Sequence, residues 1–325
     1  MITLQILLLV TGLALIVFGA DWLVDGASAV ARRAGISEFV IGLTIVGFGT
    51  SCPELVVSLT GAFAGNSDIS IGNVLGSNIF NTLMILGMTA VVAPIAIEES
   101  NRKRDIPINL AVTAMLLVLG MSVTLFGIGA SDRLSRAEGA LFLAVFCLYM
   151  YSCFKNDKDA SVPDDNCQDS RDKGTSVAKA VMLILAGLAG LIGGGQLFVN
   201  SATDIAKAVG ISDKFVAITI LAGGTSLPEL ATCVMAAVKK KGQLALGNIL
   251  GSNIFNILLI LGCSAVVRPI SLAGMSMVDM GMLMASIILV LIVALAGKKE
   301  QISRFEGAIL LIFEFAYMVW LVATL

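Results

Sequence analysis

The sequence predicts an all-α integral membrane protein of ten transmembrane helices, arranged as two five-helix repeats of inverted topology. Three observations carry that prediction. The 325 residues are 57% hydrophobic and only 14% charged, with a mean hydropathy of +0.95, far from the balance of a water-soluble domain. About ten apolar segments follow one another, each roughly 18–26 residues long and so able to cross a hydrocarbon core of about 30 Å as a helix. The sequence also repeats itself at an offset of 175 residues.

The first segment, 2–24, has no basic region ahead of its apolar run and is too long for a signal peptide, so it reads as a retained first span. Spans follow at 38–63, 69–92, 106–126 and 137–154. Residues 154–176, FKNDKDASVPDDNCQDSRDKGTS, are polar and charge-rich and read as a cytoplasmic linker. They separate a first half, 1–153, from a second, 177–325, whose spans are 177–200, 213–238, 244–267, 277–297 and 305–324. No stretch alternates with the period of a barrel strand.

With the N-terminus outside, the cytoplasmic side holds all Lys and Arg except Arg133, Arg136, Lys207, Lys214 and Arg268. That bias places both termini outside a plasma membrane, the inner membrane in a bacterium. The run Lys239, Lys240, Lys241 reads as an orientation signal at the membrane face. A net charge of −2 gives no reason to expect nucleic acid. The expected partners are the lipid bilayer and inorganic cations, and no pattern speaks to an oligomeric state. The six cysteines (Cys52, Cys147, Cys153, Cys167, Cys233, Cys263) form no paired motif and read as small buried hydrophobes.

The repeat is dense. Gly49-Thr50-Ser51 falls on Gly224-Thr225-Ser226, Pro53-Glu54-Leu55 on Pro228-Glu229-Leu230, and LGSNIFN at 75–81 on the identical LGSNIFN at 250–256. Gly35-Ile36-Ser37 and Pro94 have counterparts in Gly210-Ile211-Ser212 and Pro269. SRAEGA at 135–140 resembles SRFEGA at 303–308, with the offset fallen to 168. Five spans return the chain to the opposite side, so the second copy enters the membrane upside down, a recurring design of secondary transporters with a midplane site.

The repeated motifs put polar groups where hydrocarbon is expected. Proline within a span removes a hydrogen bond and crowds the preceding turn, so Gly49 with Pro53, and Gly224 with Pro228, predict two broken helices. A carboxylate at mid-membrane costs about 2.5–3.5 kcal/mol on insertion scales, so Glu54 and Glu229 require a partner. No Lys or Arg lies at comparable depth, which leaves a metal cation. Ser77 and Asn81 are four apart and share a helix face, as do Ser252 and Asn256. Two carboxylates, two amides, hydroxyls and freed carbonyls make a hard, all-oxygen site suited to Ca²⁺ or Na⁺. The chain has no His, which excludes imidazole–zinc sites, Ser-His-Asp triads and His proton relays. Ser51 and Ser226 have no base beside them, so hydrolysis is not expected and no cofactor is called for.

The paired G-T-S-x-P-E and G-S-N-x-x-N motifs resemble the α-repeats of the calcium/cation antiporter superfamily, the sodium/calcium exchangers and their prokaryotic relatives. The resemblance implies a Na⁺-driven Ca²⁺ antiporter working by alternating access, with Glu54 and Glu229 as central shared ligands. It further implies hydroxyls or carbonyls from Thr50, Ser51, Thr225 and Ser226, the carbonyls of Gly47 and Ala222, and completion of the ion sites by Ser77, Asn81, Ser252 and Asn256. The first and sixth helices are implied to slide across this core as gates. Some relatives carry Asp in one repeat where this chain has Asn81 and Asn256, so K⁺ dependence is not expected. A proton-coupled exchanger of the same superfamily and a cation channel are the competing readings. Outside the motifs, Cys52 stands opposite Leu227 and is expected to pack. Asp21 and Asp25 map to Gln196 and Asn200 and read as interface polarity. Glu314, opposite Phe146, reads as a protonated or locally paired acid.

Overall fold

The computed structural model describes residues 2–129, 131–160, 176–208, 222–296 and 300–324, with backbone alone at 2, 156–160, 222 and 296. The chain opens with α1, Ile2–Ala34. Two short helices joined by a π-helical turn at Gly42–Val46 make α2, Glu38–Thr50, and α3 follows as Cys52–Ala64. The next long helix is α4, Ser67–Val92, with a π-helical turn at Asn81–Ile85. Then come strand β1 (Ile95–Ala96), α5 (Ile106–Gly120), α6 (Ser122–Phe126), β2 (Arg133–Leu134) and α7 (Arg136–Ala160). The second half holds α8 (Val177–Ala208), one helical turn α9 (Ala222–Gly224), α10 (Leu227–Val238) and α11 (Gly242–Val267), which has a π-helical turn at Phe255–Leu261. It closes with β3 (Ile270–Ser271), α12 (Met277–Ala296), β4 (Gln301–Ile302) and α13 (Arg304–Ala323).

Among the described residues seven helices are long and apolar enough to cross a membrane, or eight if the bent pair α2 and α3 is counted as one span. The expected span 106–126 is interrupted: Met121 adopts φ −113°, and α5 alone has 15 residues, about 22 Å of helix. The expected span 213–238 lies partly outside the described residues, as do Lys214 and Gly210-Ile211-Ser212. The first span runs on to Ala34, well past residue 24, because nothing in DGASAVARRA breaks a helix before Gly35, whose φ of +63° ends it. Likewise α7 continues through 154–160, so the polar segment begins as helix; residues 161–175, with Cys167, lie outside the described residues.

The core is built from the two helices that carry GSNIFN. The most apolar windows of α4 and α11 are 72% and 83% buried, against 22% for α1 and 28% for α8. The latter two pack on each other along their length at the periphery. Their backbones touch: a Cβ on Gly19 would lie 2.8 Å from the Gly187 carbonyl oxygen, and one on Gly187 would lie 2.7 Å from that of Gly19. Two small antiparallel ribbons tie the halves together, β1 with β4 and β2 with β3.

Candidate cation site

Each repeat breaks one helix at the same serine. Ser51 has φ −83° and ψ 6°, Ser226 φ −90° and ψ 5°, and a proline follows two residues later in the first turn of α3 or α10. α2 and α3 meet at 49°. Pro53 has no N–H to offer the Gly49 carbonyl, nor Pro228 to offer that of Gly224, so the helix cannot run through. The break sets Glu54 and Glu229 in the first turns of their new helices, where the helix dipole favours negative charge.

Both glutamates are 1% exposed, and each is held by the serine of the other copy. Ser51 Oγ donates to Glu229 Oε1 at 3.0 Å, and Ser226 Oγ donates to Glu54 Oε1 at 3.3 Å. Ser51 Oγ also lies 3.1 Å from Ser252 Oγ. Each glutamate-bearing helix packs on the asparagine-bearing turn of the opposite copy, α3 on 255–261 and α10 on 81–85. Among the described residues no Lys or Arg pairs with either carboxylate; the ion pairs lie elsewhere, as in Lys239 with Asp21 and Asp25.

The unpaired atoms define the site's chemistry. Glu54 Oε2, Glu229 Oε2, Asn81 Oδ1, Asn256 Oδ1 and Thr225 Oγ1 are buried without a hydrogen-bond partner. Buried polar atoms are rarely left so. Here all are oxygens; four are atoms that only accept and form two pairs related by the repeat, and the fifth is the Thr225 hydroxyl. With two carboxylates and two amide oxygens, the set fits a hard cation far better than an anion.

The other expected residues divide. Thr50, Ser51, Ser77, Ser226 and Ser252 are buried in the same region. Thr50 Oγ1 bonds back to the Val46 carbonyl at 3.1 Å and reaches Asn248 Oδ1 at 3.3 Å. The Gly47 carbonyl accepts the Ser51 N–H at 3.1 Å and lies 3.4 Å from Thr50 Oγ1. Ala222 stands at the edge of the described residues. Cys52 bonds back to the Phe48 carbonyl. Asp21 and Asp25 are not merely interface polarity, since Lys239 Nζ pairs with them at 2.7 and 2.5 Å. Glu314 is buried with Oε2 unpartnered. A surface crevice of about 600 Å³ beside Asn66, Ser67, Asp68 and Ser271 holds none of these groups.

Four asparagines and a threonine escaped the sequence reading. Asn73 Nδ2 donates to the Glu54 carbonyl (3.1 Å) and Ser58 Oγ (2.9 Å), bracing α3, while its counterpart Asn248 donates to Cys233 Sγ (3.2 Å). Asn78, Asn253 and Thr82 bond to the site asparagines or to each other. The available signal was the identity of both copies at 73/248 and 78/253.

The chain is similar to known proteins along its length. Residues 4–155 and 179–323 match the family model described as sodium/calcium exchanger protein. The chain is 35% identical over 348 residues to the sodium/calcium exchanger MaX1 of Methanosarcina acetivorans, covering 98% of this chain and 99% of that one. It is 37% identical over 272 residues to the inner membrane protein YrbG of Escherichia coli, covering 81% and 79%. Solved structures of the sodium-calcium exchanger NCX_Mj superpose with a TM-score of 0.84 at 32% identity, over 99% of this chain and 100% of that one.

Proposed function

The chain belongs to the sodium/calcium exchanger protein family, and from that premise we propose that it exchanges Na⁺ for Ca²⁺ across the membrane by alternating access. The observation that carries the reading is the paired set of unsatisfied oxygens on Glu54, Glu229, Asn81 and Asn256, closed off from solvent and without a cationic side chain. Ca²⁺ balances the two carboxylates; Na⁺ ions take overlapping positions on the same oxygens, so one set of ions excludes the other. Thr50, Ser51, Ser77, Thr225, Ser226 and Ser252, with the carbonyls of Gly47 and Ala222, complete the coordination. An empty site with two facing carboxylates resists crossing the low-dielectric interior, and this obliges exchange rather than leak. No bond is made or broken, so the chain is a carrier and not an enzyme.

The same reading takes the fold as ten spans in two inverted halves, with the linker in the cytoplasm and both termini outside an inner or plasma membrane. Contacts related by the repeat support it. Strands β1 and β3 sit 175 residues apart and β2 and β4 168 apart, and the pairs β1–β4 and β2–β3 are each other's images. Each ribbon joins two loops that the charge bias had assigned to one side.

The test is Ca²⁺ uptake by proteoliposomes loaded with Na⁺ and diluted into Na⁺-free buffer. Uptake is expected to require internal Na⁺ and to vanish in Glu54→Gln and Glu229→Gln, both of which elute as folded protein. Uptake that follows a pH gradient instead would move the chain to proton coupling, and flux retained in both variants would remove the glutamates from the mechanism.

A further inference from the structure

Asn78, Asn253 and Thr82 are buried, with at most 3% of their surface exposed, and they bond across the boundary between the copies. Their hydrogen bonds have a direction that can be followed. The backbone carbonyl of Asn253 only accepts, so Asn78 must turn Nδ2 toward it, at 3.2 Å. Asn78 Oδ1 then faces Asn256, which must answer with its own Nδ2, at 2.9 Å. Asn256 Oδ1 is thereby turned away, to the position where it has no protein partner. In the other copy, Asn253 Nδ2 donates to Thr82 Oγ1 at 2.8 Å, and Asn81 Nδ2 donates to Asn253 Oδ1 at 3.2 Å, leaving Asn81 Oδ1 unpaired.

The two chains of bonds end differently. One ends on a backbone carbonyl, which cannot donate. The other ends on a hydroxyl, which does either. The residue 175 after Thr82 is Ile257, so the second copy has no such hydroxyl. If Thr82 donates to Asn253 Oδ1, Asn253 Nδ2 can donate to Asn81 Oδ1, and Asn81 then presents Nδ2 to the site. Asn256 has no equivalent reversal.

We infer that Asn78 and Asn253 are positioning residues for the ion site: Asn78 fixes Asn256 as an oxygen ligand, while Asn253 and Thr82 make Asn81 a ligand that offers oxygen to a bound cation and NH₂ to the vacated carboxylates. The inference rests on the exchanger reading for the identity of the ions, but its test does not need transport.

Ca²⁺ titration calorimetry on the purified full chain in detergent is the measurement, with Na⁺-driven uptake in parallel. Thr82→Val and Asn253→Leu are expected to weaken Ca²⁺ binding about five- to tenfold, roughly the worth of one hydrogen bond that orients a ligand. Thr82→Ser restores the hydroxyl and the affinity. Asn253→Asp has only acceptors, so it holds Asn81 Oδ1 toward the ion and binds Ca²⁺ at least as well as the unmodified chain. A packing role predicts the reverse, because the buried charge of Asn253→Asp would do more harm than Leu. The inference is overturned if Asn253→Asp binds worse than Asn253→Leu, or if Thr82→Ser and Thr82→Val are equally impaired. Should Thr82→Val not fold, the Asp-versus-Leu comparison decides alone. Binding that follows the expected order without Na⁺-driven uptake would leave the positioning role in place and defeat the exchange reading.

Discussion

A carboxylate buried in a bilayer needs a partner, and Glu54 and Glu229 are each given half of one. A serine hydroxyl from the opposite copy satisfies one oxygen, and the second is left for an ion. Hydrogen bonds to charged groups are worth about 1.5–3 kcal/mol, so Ser51→Ala and Ser226→Ala should each raise the Ca²⁺ concentration for half-maximal uptake about tenfold or more. The loss should be larger for Ser51, whose bond is shorter and whose hydroxyl also meets Ser252; equal or absent effects would show that the crossed bonds do not shape the site. Protons compete for the same carboxylates. Lowering the pH should therefore slow uptake, and raising Ca²⁺ should restore it, whereas inhibition indifferent to Ca²⁺ would place the sensitive proton elsewhere. The glutamates, serines and Asn81/Asn256 were legible in the sequence because each is an expensive residue chosen twice at one offset. Asn78, Asn253 and Thr82 were not, because helical spacing shows which face a residue shares but not what meets it from the other copy.

The helix breaks were legible because proline and glycine act through local covalent geometry, which the sequence shows directly. Pro53→Ala returns an N–H opposite the Gly49 carbonyl and should let α2 run toward α3. The expected outcome is at least a tenfold loss of exchange with thermal stability unchanged or raised; full activity would mean that the 49° bend is set by packing alone. At the periphery the opposite is expected. Gly19→Ala puts a Cβ 2.8 Å from the Gly187 carbonyl and should force α1 off α8 at a cost of about 1–3 kcal/mol, read as a lower unfolding temperature. In the loop after α6, Asp132 accepts from the N–H groups of Val123 and Thr124 and from the Thr124 hydroxyl. The Thr124 hydroxyl, then these amides, hold its carboxyl below the usual range. A depressed pKa stabilises above the unfolded value, about 3.9, and the effect is lost as pH falls through the folded one. Asp132→Asn should thus reduce amide protection at 123 and 124 at pH 7, with the difference from the parent chain shrinking as the pH is taken below the usual carboxylate range. The π-helical turns at Asn81–Ile85 and Phe255–Leu261 left no trace in composition, since one residue added to a helical turn changes neither hydropathy nor spacing enough to read.

At the scale of the whole molecule, the contacts between the halves come in pairs that exchange under the repeat. Arg136 donates to the carbonyls of Val266 and Val267, and Arg304, 168 residues on, donates to that of Val92, 175 residues before Val267. Ser135 and Glu138 cap α7 as Ser303 and Glu306 cap α13. Gly87 meets the carbonyl of Gly307 at 2.9 Å from a Cβ position, and Gly139 meets that of Gly262 at the same distance. A chain whose halves were joined in the same orientation would bring these pairs to one side; the proposed topology instead has the Arg304 end in the cytoplasm and the Arg136 end outside. The prediction follows from that opposition. In a variant whose sole cysteine is Cys167, a membrane-impermeant thiol reagent should label only from the cytoplasmic face. Single cysteines placed at Thr3 or Thr324 should label only from the other face. Labelling of Cys167 and either terminus from one face would mean an even number of spans in the half between them, and the inverted arrangement would fall even if exchange were intact. The departures from symmetry then acquire meaning. Lys239 pairs with Asp21 and Asp25 of α1, whereas the equivalent positions Ala64, Gln196 and Asn200 offer no ion pair. Partly exposed pairs are worth up to about 1 kcal/mol each, so Lys239→Ala, which removes two, should shift the ratio of outward- to inward-accessible sites by up to about thirtyfold without altering the site itself. Side-specific labelling of a cysteine at Ser77 or Ser252 measures that ratio, and an unchanged ratio would show that the pair does not distinguish the two facing states.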